Sequence, residues 1–242
     1  MRVHFSEQVA WLPRCFQPSD PTRVVGEPPS REACGLPENG TVYVCFNNSY
    51  KLNARSVGRM LAVLRAVENS VLWLLSGPGT ADASLRAIAK QHGVDPARLV
   101  FMPKLPHDHY LARYRHADLF LDTTPYNAHT TASDAIWAGC PVLTVAGDTF
   151  AARVAASLNH HLGMPDLNVT DDAAFLEFAV HIGRDRAARD ALHARIAERR
   201  AHSGLFDMQA FADDFAALLR AIYARHHAGL ASASIDDAPV ER

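Results

Sequence analysis

The sequence lacks a strong charge of either sign: 24 lysines and arginines stand against 26 aspartates and glutamates, a formal net charge of −2 in 242 residues. Without a basic stripe, the electrostatic footprint of a nucleic-acid binder is absent, and small molecules or peptides are the expected partners. No apolar run approaches the roughly 20 residues that cross a bilayer. The longest strong run, 71–75, has the length of a strand. The opening residues Met1 to Glu7 hold no continuous apolar core of an export signal, so a cytoplasmic location is expected. Cysteine is sparse: Cys15, Cys34, Cys45 and Cys140 lie far apart with no CxxC pair, which suggests neither a disulfide framework nor a zinc site. Neither GxGxxG nor GxxxxGK[ST] occurs, which removes the sequence support for a dehydrogenase or an NTPase.

Histidine, by contrast, is plentiful at 13, with the pairs His107/His109, His160/His161 and His226/His227. Adjacent histidines on a helix point to different faces, and no cysteine or carboxylate cluster completes a ligand set, so no metal is expected. At 48% hydrophobic and 21% charged, the chain has the composition of a globular protein, long enough for one large domain and short for two with a cleft between them.

Residues 1–40 carry Pro13, Pro18, Pro21, Pro28, Pro29 and Pro37 and read as an extended connector. From Thr41, short β-rich apolar runs at 42–46, 71–75, 99–101, 119–121 and 141–145 alternate with amphipathic stretches at 54–67, 81–92, 109–116 and 130–138. Five strands alternating with helices predict a Rossmann-like, doubly wound parallel sheet over 41–227. The stretches 150–161, 171–182, 185–200 and 207–226 predict closing helices, and the small, polar residues 228–242 predict a disordered tail. No internal repeat of solenoid length is visible.

Ligands of such sheets bind at the carboxyl ends of the strands. At one of these ends, Leu121 to Asp134 passes through Asp122-Thr123-Thr124-Pro125-Tyr126-Asn127-Ala128 into a helix starting near Thr130. Free N–H groups at that helix start, the Thr130 and Thr131 hydroxyls and His129 could hold a phosphate, with Asp134 accepting from a ribose hydroxyl. The same residues also read as a capping box from Thr131 to Asp134, which needs no ligand. In Phe46-Asn47-Asn48-Ser49-Tyr50-Lys51, Lys51 could neutralise a diphosphate and Asn48 donate an amide hydrogen bond, or the lysine could simply be solvated. After the third strand, Tyr110 offers a stacking face and Arg113 a base-edge donor, against the alternative of a packed tyrosine and an exposed arginine. The turn Ser76-Gly77-Pro78-Gly79 is either a simple connection or a further ligand contact. Taken together, the three loops suit a nucleoside diphosphate.

The segments FNNSYK at 46–51, SVLWLL at 70–75, ADLFLDTTPYNAHTTASDAIWAGCPVLT at 117–144 and AARVAAS at 151–157 resemble the O-linked N-acetylglucosamine transferase family, glycosyltransferase family 41, over about residues 5–223. The resemblance implies the C-terminal, donor-binding half of a GT-B fold. It assigns Asn48, Lys51, His129, Thr130 and Thr131 to the diphosphate of a UDP-sugar, Asp134 to the ribose, Arg113 and the backbone near Leu105 to uracil, Tyr110 to base stacking, and Tyr126 to the neighbourhood of the sugar. Three positions depart from the family's animal enzymes: Asn48 replaces glutamine, Tyr110 replaces histidine, and His107 stands where a ribose-contacting lysine is expected. The implied reaction is an inverting transfer of N-acetylglucosamine from UDP-GlcNAc to serine or threonine hydroxyls of proteins, without metal or other cofactor. Lys51, Thr130 and Thr131 would stabilise the leaving diphosphate. The resemblance also implies that the partner Rossmann-like half and the tetratricopeptide repeats that present acceptors lie outside this chain, leaving it inactive alone and without an identifiable base. Phe5, Val9, Leu12, Phe211, Phe215 and Leu219 are expected to pack across that missing half. Two other readings remain: a relative that glucosylates asparagine or another acceptor from a different UDP-sugar, and a non-catalytic nucleotide-sugar-binding module.

Overall fold

A computed structural model describes residues 5–235. Six strands form one wholly parallel sheet: β1 (Thr41–Cys45), β2 (Ser70–Leu75), β3 (Leu99–Met102), β4 (Leu119–Leu121), β5 (Val142–Val145) and β6 (Asn168–Val169). Their spatial order is β3-β2-β1-β4-β5-β6. The chain winds outward from β1 in one direction, then returns to β4 on the other side of β1. Between β1 and β4 the direction of winding reverses, the place where open sheets of this kind bind their ligands.

Helices α1 (Ala54–Ala66), α2 (Ala81–Gln91), α3 (His107–Arg113), α4 (Thr130–Trp137) and α5 (Val154–Leu162) connect the strands, and α6 (Asp172–Arg184), α7 (Arg186–His202) and α8 (Met208–His227) close the domain. All five residues of β1 are buried, as expected of a central strand covered on both faces, whose run Val42-Tyr43-Val44-Cys45 is continuously apolar. Helix α1 buries a stripe of Val57, Met60, Leu61 and Leu64 and is capped by Asn53, whose side chain accepts from the Ser56 N–H at 3.0 Å. The sequence predicts five strands; β6 is a sixth. Its two residues are too short to produce an alternating pattern, and Asn159 fixes it in place by donating to the Val142 carbonyl at 2.8 Å and to Asn168 Oδ1 at 2.9 Å.

The proline-rich segment lies against the domain as an extended strap. Ser19 meets Ser133 at 3.1 Å, the Gly26 N–H donates to the Asp108 carbonyl at 3.2 Å, and Arg14 pairs with Asp214 of α8 at 2.7 Å. Of the expected tail, the part up to Ile235 is described; Ile235 pairs with the segment around Ala10, while 236–242 lie outside the described residues. Phe5, Phe215 and Leu219 are exposed and Val9, Leu12 and Phe211 half-buried, so none of the six is enclosed in the interior.

Helix α6 crosses the start of β1 so closely that its Ala179 carbonyl accepts from the Tyr43 hydroxyl at 2.6 Å and its Gly183 carbonyl from Thr41 at 3.0 Å. A Cβ on Gly183 would lie 2.0 Å from that hydroxyl and 2.8 Å from Val67 Cγ2. Gly183→Ala should therefore lower the free energy of unfolding by about 1–3 kcal/mol, the usual range for overpacking, measured by urea denaturation. An unchanged midpoint would show that α6 can lift away freely.

Candidate functional site

The site is built outward from Asp122, the residue following β4. Its side chain is fully buried and accepts four hydrogen bonds: from the Thr123 N–H (2.7 Å), the Ala128 N–H (2.7 Å), the Asn47 amide (3.3 Å) and the Thr144 hydroxyl (2.7 Å). These donors come from the loop itself, from the end of β1 and from β5, so one carboxylate ties three strand ends together. The loop closes further through Thr123 donating to the Tyr126 carbonyl and Asn127 donating to the Thr123 carbonyl. Ser56 and Asn53 at the start of α1 hold the Thr124 carbonyl, next to a cis Thr124–Pro125 peptide bond. Arg59 donates to the Asp122 carbonyl at 2.6 Å, pairs with Asp172 at 2.8 Å and lies 3.9 Å over the Phe175 ring.

On this frame Lys51 is drawn inward. It is only 7% exposed, its ammonium donates to the Asn127 carbonyl at 2.8 Å, and it sits 4.0 Å from the centre of the Tyr126 ring. Among the described residues no carboxylate pairs with it. Burial pushes its pKa down, because a desolvated ammonium is less stable than a hydrated one. His129 stands before α4, half-buried, 5.1 Å from the Tyr126 ring. Its Nε2 lies 3.2 Å from the Ala151 carbonyl, which can only accept, so Nε2 carries the proton. Burial lowers the His129 pKa and favours the neutral ring, with Nδ1 bare.

Helix α4 begins at Thr130 with no side-chain cap, and among the described residues its first two N–H groups, on Thr130 and Thr131, have no backbone acceptor. The Thr131-to-Asp134 capping box does not form, because Thr131 is already inside the helix and Asp134 turns elsewhere. Its Oδ1 accepts from Arg23 at 2.6 Å and its Oδ2 lies 3.2 Å from His107 Nε2. His107 stacks with Tyr110 at 6.0 Å, and the Tyr110 ring packs on Phe46 and Tyr114, its hydroxyl 2.6 Å from that of Tyr114. Two clusters result. Lys51, Tyr126, His129 and the start of α4 form one; His107, Tyr110 and Asp134 form the other, a turn further along α4. Asn48 is exposed and Leu105 half-buried, and Arg113 donates to the His109 carbonyl at 2.7 Å. In the turn after β2, Asp82 accepts from the Ser76 hydroxyl and the Gly77 N–H, so that loop is closed by its own helix. A separate cleft lined by Arg65, Arg184 and Arg189 lies at the opposite, amino-terminal edge of the sheet.

Sequence reasoning passed over Asp122, Asn47, Arg59 and Arg23 as contributors. For Asp122 a signal existed, a carboxylate closing the apolar run Leu119-Phe120-Leu121. For Arg23 there was none, since its partner lies 111 residues away.

Burial raises the Asp122 pKa from its ordinary value near 3.8 to about 6, against the pull of its four donors. Between those values the folded chain keeps the proton and the unfolded chain has lost it, so this residue's contribution to stability falls as pH rises from about 4 to about 6. The difference in unfolding free energy between the parent and Asp122→Asn, in which titration at this site is abolished, should fall across that window by on the order of 3 kcal/mol. A pH-independent difference would contradict the ionised, fully desolvated carboxylate.

Comparison with known proteins places this chain in a family. The model of glycosyl transferase family 41 matches residues 3–215. A UDP-N-acetylglucosamine--peptide N-acetylglucosaminyltransferase of Caenorhabditis elegans is 31% identical over 83% of this chain and 18% of its own length. An Arabidopsis thaliana relative, named "Probable UDP-N-acetylglucosamine--peptide N-acetylglucosaminyltransferase SEC", is 32% identical over 84% of this chain and 22% of its own. Among solved structures, a variant of the Thermobaculum terrenum O-GlcNAc transferase superposes with a TM-score of 0.74 at 25% identity, covering 87% of this chain and 41% of that one. A sucrose-phosphate synthase from Thermosynechococcus elongatus shares the fold alone, with a TM-score of 0.58 at 19% identity, covering 82% of this chain and 50% of that one. This chain thus spans less than half of the solved transferase and under a quarter of the two sequence relatives. With the parallel sheet, the helical closure and the family match in agreement, the chain belongs to glycosyltransferase family 41.

Proposed function

We propose that this chain is the UDP-sugar-binding half of a protein O-GlcNAc transferase-like enzyme, completed by a second Rossmann-like half and by tetratricopeptide repeats that present the acceptor. The observation that carries the reading is the buried Lys51 ammonium, with no carboxylate partner among the described residues, next to the uncapped start of α4. A buried cation beside free N–H groups is arranged for an anion, and a diphosphate supplies the charge and oxygens that both lack. The names of the relatives support UDP-N-acetylglucosamine as the donor and a peptide as the acceptor.

In the proposed reaction, a serine or threonine hydroxyl attacks the anomeric carbon, the bond to the diphosphate oxygen breaks, and the configuration inverts. Negative charge grows on the departing UDP. Lys51 donates to it from a site of low dielectric, where its charge acts strongly, and the Thr130 and Thr131 N–H groups add the positive end of the helix dipole. These groups would carry the leaving-group charge without a metal ion. An arriving diphosphate favours a proton on His129 Nδ1, turning the bare acceptor into a further donor. Tyr126, held over Lys51, borders the place where the sugar would extend. No residue of this chain is assigned as base, and the chain alone should turn over little or no sugar. The four free thiols, Cys15, Cys34, Cys45 and Cys140, suit a reducing cytoplasm, the proposed location.

Calorimetry with UDP tests the assignment. Lys51→Ala should weaken binding by about 10- to 100-fold, as expected for loss of a charge-assisted hydrogen bond. Thr130→Ala, which keeps the N–H and removes only the hydroxyl, should weaken it by less, about 2- to 10-fold. Equal affinities for the parent and both variants would sink the site.

A further inference from the structure

The strap before β1 inserts one side chain into the site from behind. Arg23 donates from Nη1 to Asp134 Oδ1 at 2.6 Å, and both side chains are only 9% exposed. Its Nε donates to the Asp20 carbonyl at 2.8 Å, and its guanidinium lies 5.4 Å from the centre of the Trp137 ring and 5.6 Å from that of Phe206. Trp137 in turn donates to the Arg23 carbonyl at 3.0 Å. Asp20 is fixed by accepting from the Thr22 N–H and hydroxyl, both at 2.7 Å. The guanidinium is therefore held by its backbone turn and by two rings, and has little freedom to follow a moving carboxylate.

A buried ion pair is weak evidence of added stability, because desolvating both charges offsets most of their attraction. The geometry offers a different reason for it. Arg23 occupies only Oδ1, while Oδ2 lies toward the half-exposed His107 at 3.2 Å. A carboxylate gripped by one oxygen has its plane fixed, and Oδ2, which His107 Nε2 approaches on one side, keeps a further lone pair at a defined place to accept a hydroxyl proton.

We propose that Arg23 is a positioning residue for nucleotide recognition: by gripping Asp134 Oδ1 it aims Oδ2 at the ribose hydroxyls of the bound UDP-sugar. This rests on the donor-site reading above and adds the strap to the site as a working part. Arg23 itself touches no substrate. Its influence runs wholly through Asp134, so its removal should be felt only by nucleotides that carry the hydroxyls.

The test is a binding cycle on the 242-residue chain with two probes, UDP and 2′,3′-dideoxyuridine diphosphate. The proteins compared are the parent, Arg23→Met, Arg23→Lys, Asp134→Asn and the double variant combining Arg23→Met with Asp134→Asn. Arg23→Met should weaken UDP about tenfold and leave the dideoxy nucleotide within about twofold of the parent. In the double variant the loss should be no greater than in Asp134→Asn alone. Arg23→Lys keeps the charge and protects the fold if the methionine variant melts early; it should weaken UDP by about threefold and again spare the dideoxy nucleotide. Equal losses for both nucleotides in the lysine variant, or additive losses in the double variant, would show that Arg23 merely holds the strap, and would overturn the proposal. A parent chain that binds neither nucleotide would remove the donor-site reading first and this inference with it.

Discussion

Everything at the reading edge of the sheet depends on one desolvated carboxylate. Asp122 has no contact with water, and its four donors come from β1's end, β5 and both limbs of its own loop. Ionisation in that place costs stability at neutral pH, which is why its pKa rises to about 6. In return, the loop from Asp122 to His129 is held in one shape, with the Asn127 carbonyl facing Lys51 and α4 starting at a fixed height. The energy lies in the frame, and the frame presents charges that would otherwise be mobile at the surface.

The second constraint is topological. Because the winding reverses between β1 and β4, the loops after these two strands are neighbours although their residues are more than 70 apart in sequence. Lys51 comes from the first and the uncapped helix from the second. A cation and a set of free N–H groups thus meet without a glycine-rich phosphate loop. Asp134 lies a turn along the same helix, and the strap residue Arg23 braces it from outside the sheet. One helix thus carries unpaired N–H groups at its start and a carboxylate a turn within.

Alternation of apolar runs and amphipathic stretches made β1 to β5 and all eight helices legible, since each is a local period. β6 was not, because two residues cannot show a period and its place depends on Asn159. The passage from β4 into α4 was readable because a strand end, a loop and a helix start are contiguous in Leu121 to Asp134. What escaped is what the chain assembles over distance. The inward turn of Lys51 needed Asn127 and Tyr126, and the failure of the Thr131–Asp134 cap needed Arg23. The proline-rich stretch reads locally as a connector, and its prolines do keep it extended. Its role as a strap appears only once Ser19, Arg23 and Gly26 are seen against α3 and α4.

The central claim is that the reversal point between β1 and β4 holds the diphosphate of a nucleotide sugar. A crystal structure of the chain grown with UDP tests it most directly. The account predicts diphosphate oxygens within hydrogen-bond distance of Lys51 Nζ and of the Thr130 and Thr131 N–H groups, with the ribose beside Asp134. A diphosphate bound instead in the arginine-lined cleft at the opposite edge of the sheet, among Arg65, Arg184 and Arg189, would contradict it.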